Sequence, residues 1–151
     1  NVSIKWPNDI YVGDKKIAGI LIENAIMGNT LASSILGIGI NVNQQVFISN
    51  APNPVSLYQK TGKKSDRKDI QLNLLQSFNK WYKLLQNGQF ELIHKSYENN
   101  LYRLNELALY SDKKGDYEGV LKGVSPIGQL LIKPNVGELR AYHFKEVAFI
   151  L

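Results

Sequence analysis

The chain is 151 residues long, 44% hydrophobic and 21% charged, which excludes disordered and fibrous classes and suits one domain, or one domain with a small satellite. It has no cysteine, so disulfide frameworks, thiolate zinc sites, iron–sulfur clusters and cysteine nucleophiles drop out, and a cytoplasmic setting is the expectation. Eighteen basic against 13 acidic residues give a net charge of +5, a mild bias toward phosphate-bearing ligands or an acidic partner, and no apolar run reaches the roughly 18 to 20 residues of a membrane helix.

In chain order, Val2 and Ile4 begin an alternation that ends at Pro7-Asn8. Ile10 to Val12 and Ile17 to Ile22 then flank Gly13-Asp14, a pair suited to a two-residue type II′ hairpin. Met27-Gly28-Asn29 predicts a second turn. Thr30 to Val42 reads as a largely buried strand in which Gly37 and Gly39 mark a bulge or the close approach of a ligand. Residues 43 to 65 read as a long connection, and Gly62-Lys63-Lys64-Ser65 within it as a solvated loop. From Asp66 the period changes: Ile70, Leu74, Phe78, Trp81 and Leu85 form one helical stripe that stops at Asn87-Gly88, and Phe90, Ile93, Tyr97 and Leu101 form a second. Phe78, Trp81 and Tyr82 are expected in the core. From Glu106, five short segments alternate with turns: Leu107 to Tyr110, Tyr117 to Val124, Gln129 to Lys133, Glu138 to His143 and Val147 to Leu151. They predict a small antiparallel barrel. The expected fold class is α+β, with an α/β portion over 1–105 and the barrel over 106–151. His94 and His143 lack a second ligand at metal spacing.

The first hairpin allows a geometric expectation. With Gly13 and Asp14 as its turn, Tyr11 faces Lys16, Ile10 faces Ile17 and Asp9 faces Ala18, so Asp9, Tyr11 and Lys16 share a face. Asp9 and Lys16 would then stand diagonally, roughly 7 to 8 Å apart, too far for a tight ion pair and suited to joint contact with one polyanion. Asn8 at the strand entrance and Asn41 at the end of the glycine-bearing strand complete a plausible phosphate and hydrated-magnesium site, because Mg²⁺ takes only one or two protein carboxylates. The plainer reading stays open: an edge lysine, a turn-forming Asn-Asp and a capping Asn.

Lys5-Trp6-Pro7-Asn8-Asp9-Ile10-Tyr11, followed by Lys16-Ile17-Ala18-Gly19-Ile20-Leu21-Ile22-Glu23, closely resembles the central signature of the biotin protein ligases. Gly37-Ile38-Gly39-Ile40-Asn41-Val42-Asn43 resembles the family's next signature, and Pro54-Val55-Ser56-Leu57 loosely resembles a third. Gly123-Val124, Gly128-Gln129-Leu130 and Phe144-Lys145-Glu146-Val147 are similar to its SH3-like C-terminal domain. The resemblance implies a partial ligase-type mixed sheet followed by an SH3-like barrel. It also implies a two-step reaction, in which biotin and MgATP form biotinyl-5′-adenylate and a lysine of biotin carboxyl carrier protein then takes the biotinyl group. On this reading Lys16 is the catalytic residue and reaches both the biotin carboxylate and the α-phosphate. Lys5, Asn8, Asp9 and Asn41 serve the nucleotide and magnesium, with Asp9 as metal ligand. Gly19, Ile20, Gly37 and Gly39 line the biotin pocket, and Trp6 is a core anchor. Lys145 is placed either near the nucleotide or carrier or on an exposed strand.

In that family a glycine- and arginine-rich biotin-holding loop lies upstream of the first signature, and nothing here matches it. The expectation is therefore a truncated fragment, inactive by itself. The resemblance leaves a homodimer open and implies neither a membrane nor a nucleic-acid partner. A non-catalytic biotin- or nucleotide-binding module is the alternative. A nucleic-acid-binding barrel is weaker because no aromatic and basic stripe stands out, and a lipoate ligase is disfavoured by the intact first signature.

Overall fold

The computed structural model describes residues 1–48 and 52–150. Its element order is β1 (Val2–Lys5), β2 (Asp9–Val12), β3 (Lys15–Met27), β4 (Thr30–Ile40), α1 (Leu57–Thr61), α2 (Arg67–Gln86), α3 (Phe90–Asn99), β5 (Leu107–Asp112), β6 (Gly115–Val124), β7 (Leu130–Pro134), β8 (Arg140–Tyr142) and β9 (Val147–Phe149). The class is α+β. Two antiparallel sheets run in the orders β1-β2-β3-β4 and β8-β7-β6-β5-β9. Parallel pairing is confined to isolated bridges such as Ile4 with Leu101 and Lys16 with Pro54.

The hairpin turns fall where the sequence puts them. Gly13 has a φ of 60° and Gly28 of 62°, backbone that a side chain would strain. The second sheet follows the expected strand order, with its turns at 113–114, 125–128 and 135–137; the expectation that its last strand reaches Leu151 lies outside the described residues. The sheet curls, because Arg140 and Tyr142 on β8 both reach Asp112 at the end of β5, three strands away in the ladder.

The long connection holds α1, which the sequence reading missed. Ser56 is fully buried and caps it in a reciprocal box: its hydroxyl accepts from the Gln59 backbone N–H while the Gln59 side chain accepts from the Ser56 N–H. The same hydroxyl donates to the Gln44 carbonyl. Asp66 caps α2 by accepting from Lys68, as the charged entrance suggests.

Two expectations of burial are corrected. Thr30 to Ile40 is a strand, but an exposed one up to its last residue, with Ile35 at 67% exposure. The one register shift in its pairing with β3 is at Ala25/Ile26, not at Gly37 or Gly39. On α2, Phe78 is 44% and Trp81 40% exposed, and no residue of the helix is buried. The apolar stripe is real, yet within this chain it meets too little partner surface to be core. The main core lies instead where the sheets join: Trp6 and Leu101 pack with Tyr110, Leu121, Val124, Leu130, Ile132 and Tyr142. Trp6, 8% exposed, also donates from its indole N–H to the Gly128 carbonyl at 3.0 Å, which makes it the core anchor the sequence suggests.

Candidate active site

The site grows from an irregularity in the β2–β3 hairpin. Tyr11 pairs with Lys16 as expected, but the register then shifts, so that Ile10 pairs with Ala18 and Asp9 with Gly19. The extra residue is a β-bulge. It lets Ile17 and Ala18 both turn into a small core with Val55, and it brings Lys16 and Gly19, three apart, onto the same face.

On that face Lys16 Nζ stands 2.6 Å from Asp9 Oδ1. The expected gap of roughly 7 to 8 Å is thereby corrected to a direct ion pair: that diagonal separates strand positions, and the long lysine stem spans it. Gly19 leaves the pair its room. A Cβ there would lie 3.1 Å from Lys16 Nζ and 3.2 Å from Asp9 Oδ1, tighter than most real Cβ contacts, so a side chain at this position would press the pair to shift by a few tenths of an ångström. This spacing role was not legible without the bulge.

The Lys16 backbone is fixed from both sides. Its N–H donates to Asn53 O and its carbonyl accepts from Val55 N, each at 2.8 Å. Asn41 donates its backbone N–H to Ile17 O and lies with its side-chain amide 3.5 Å from Lys16 O. Asn8 is similarly occupied: its amide donates to Ile20 O at 2.6 Å while Ile20 N–H donates to Asn8 O. Asn8 thus clasps Ile20 to the strand entrance, and both asparagines shape the site through backbone.

Lys5 pairs with Asp9 across the β1–β2 ladder and therefore projects from the same face. Its ammonium lies 5.4 Å from the ring centroid of Tyr11 and 4.9 Å from that of Phe149 on β9. Burial lowers its pKa, Asp9 opposes this, and the nearby charges of Lys16 and Arg103 add to the lowering. Tyr11 is buried with its ring 5.2 Å from that of Tyr102, and the Tyr102 hydroxyl donates to Asp14 at 2.6 Å. Burial, then that bond, push the Tyr102 pKa up to about 12.

Gly37 and Gly39 stand opposite Leu21 and Gly19 on β4. Added Cβ atoms would meet only ordinary contacts, 3.7 Å to Leu21 Cβ and 4.0 Å to Gly19 O, so these glycines leave open space over the strand rather than a tight internal fit. Lys145 has its ammonium 5.5 Å from the ring of its neighbour Phe144 and is exposed. No cluster of three His, Cys, Asp or Glu suited to a metal occurs among the described residues, and none of their helices is long and apolar enough to cross a membrane. A cavity of about 750 Å³ lies elsewhere, between β8, β9 and the end of β5, with Asp112, Arg140 and Tyr142 in its wall. Those three groups bond one another, whereas the chemistry-bearing groups of the hairpin face outward.

Residues 1–41 match the biotin/lipoate A/B protein ligase family. Over 144 residues the chain is 33% identical to the Bifunctional ligase/repressor BirA of Bacillus subtilis (strain 168), covering 92% of this chain and 44% of that protein. It is 27% identical to the Biotin--[acetyl-CoA-carboxylase] ligase of Paracoccus denitrificans over 90% of this chain and 58% of that one. The structure superposes on the biotin protein ligase of Aquifex aeolicus in complex with biotin and ATP with a TM-score of 0.74 and 31% identity, over 97% of this chain and 61% of that chain. Along nearly its whole length the chain is thus similar to biotin protein ligases. It spans about half the length of the curated relatives it matches.

Proposed function

We propose that this chain carries the lysine-bearing wall of an ATP-dependent biotin protein ligase. The observation that carries the reading is the Asp9–Lys16 pair at 2.6 Å within the segment matched to the family. Relatives named as biotin ligases and a superposable ligase bound to biotin and ATP support it.

In the first step a biotin carboxylate oxygen attacks the α-phosphorus of ATP, the bond to the β-phosphate bridging oxygen breaks, and pyrophosphate leaves. Two anions must meet, and Lys16 is the cation between them, releasing Asp9 as it turns to the carboxylate and α-phosphate. Its charge also offsets the charge that builds on phosphorus in the transition state. Asp9 is the carboxylate suited to the magnesium that accompanies the nucleotide; that ion would neutralise phosphate charge, and one carboxylate with waters is an ordinary shell for it. Lys5 adds a second cation toward the phosphates. Asn41 holds the Lys16 backbone at the nucleotide edge, and Asn8 holds Ile20. Gly19, Ile20, Gly37 and Gly39 form the strand surface on which biotin's rings lie. In the second step a carrier-protein lysine amine attacks the acyl carbon, AMP leaves, and an amide forms.

In this reading residues 1–105 supply the reacting wall and residues 106–151 a supporting unit. The exposed apolar strands β3 and β4 suggest that the wall works against further surface, so the 151 residues alone are expected to form adenylate slowly. The test is biotinylation of biotin carboxyl carrier protein by a complete ligase carrying this segment, with and without Lys16→Ala. Adenylate formation undiminished by the substitution would remove the proposal.

A further inference from the structure

The second sheet reaches the reacting face at Phe149. Phe149 stands on β9, an end strand of that sheet, and its ring lies 4.9 Å from Lys5 Nζ. The ring is itself held from two sides, 6.2 Å from Tyr102 and 5.2 Å edge-on to the fully buried Tyr110. Tyr11 closes the other side of the ammonium at 5.4 Å. A flexible lysine stem that would otherwise sample many rotamers is thereby confined between two π faces, each of which attracts a cation electrostatically. Strand pairing puts Lys5 on the face it shares with Asp9; there Asp9 attracts the ammonium while Lys16 and Arg103 repel it, and the aromatic faces add a hold that does not depend on Asp9.

We infer that Phe149 is a positioning residue: the second sheet acts on the Asp9–Lys16 site by holding Lys5 in place for the nucleotide phosphates. The inference rests on the ligase reading, because it takes ATP as the ligand that Lys5 serves.

The experiment uses the 151-residue chain, with ATP and magnesium as the probe, and follows both the proton shifts of the Lys5 side-chain methylenes and the ATP dissociation constant. In the unaltered chain ring currents move the Lys5 ε-protons upfield. Phe149→Leu reduces that shift to the share due to Tyr11 and weakens ATP binding about 3- to 10-fold, while Phe149→Tyr restores both. Phe149→Leu has no further effect on ATP binding when Lys5→Met is already present, whereas general loosening of the fold would add to it. Ordinary Lys5 shifts in the unaltered chain overturn the inference. So does an ATP affinity that Lys16→Ala reduces and Phe149→Leu does not. Failure of the unaltered chain to bind ATP while the Lys5 shift is intact overturns the inference, whereas the ligase reading stands or falls by the Lys16→Ala assay on a complete ligase.

Discussion

Lys16 and its neighbour Lys15 show how little of a residue's role lies in its type. Both are lysines of one strand, yet Lys16 pairs with Asp9 while Lys15 pairs with Val12 beside the turn and is exposed. Adjacent strand residues face opposite ways, so Lys15 cannot take over the task. Lys16→Ala in a complete ligase is expected to lower the adenylation rate by roughly 10² to 10³, about 2.7 to 4 kcal/mol, as read from pyrophosphate release. Gly19→Ala tests the spacing. Its methyl would stand 3.1 Å from Lys16 Nζ, and the displaced cation should cost about 10- to 100-fold in rate with little change in the unfolding midpoint. Equal activity would show that the pair yields without consequence. The sequence made the shared face of Asp9, Tyr11 and Lys16 legible, because alternation alone dictates it. The contact itself was not legible, since alternation fixes the face and not where a long lysine stem ends, and the bulge that turns both Ile17 and Ala18 into core is a tertiary outcome.

At the level of elements, turns and strands were legible wherever a local rule decided them. Gly13 and Gly28 fix hairpins through backbone that favours glycine, and the five short strands of the second sheet follow their alternation. The short helix α1 was hidden because five residues give no period; its signal was the cap, Ser56 three residues before Gln59. Ser56→Ala removes the cap hydroxyl and with it the hydrogen bond to the Gln44 carbonyl. The expected loss is about 1 to 2 kcal/mol, measured by urea unfolding. Since Val55 N–H bonds Lys16 O, that variant should also loosen the site. Periodicity did reveal α2, but it could not say whether the stripe is covered, because burial depends on what lies opposite.

For the whole molecule, the core that joins the two sheets governs stability. Leu121 is fully buried on β6 in the same cluster as Trp6. Leu121→Ala should cost about 2 to 5 kcal/mol, and Trp6 fluorescence and second-sheet signals should then move together; separate transitions would show that the sheets unfold independently. Acid should act through Asp112. Hydrogen bonds from Tyr142 and the Lys114 backbone, with Arg140 beside it, hold its carboxyl below the usual value of 3.8. Its folded pKa is depressed, so its contribution is present above 3.8 and is lost as pH falls through the lower folded value. Asp112→Asn should lower stability at neutral pH and flatten the acid limb of the pH–stability curve. The sequence could place these residues on strands but not join them, because Asp112 meets Arg140 and Tyr142 only once the sheet curls.

The Trp6 indole and the Gly128 carbonyl that receives its proton are 122 positions apart. At a synthesis rate of about 5 to 20 residues per second, that separation is a delay of roughly 6 to 24 s. Throughout it the lysine hairpin can form on the ribosome while Trp6 still lacks its partner. The hairpin is complete long before the surface that steadies it has been made, so the order of translation gives this protein its Asp9–Lys16 hairpin first and the support for it afterwards.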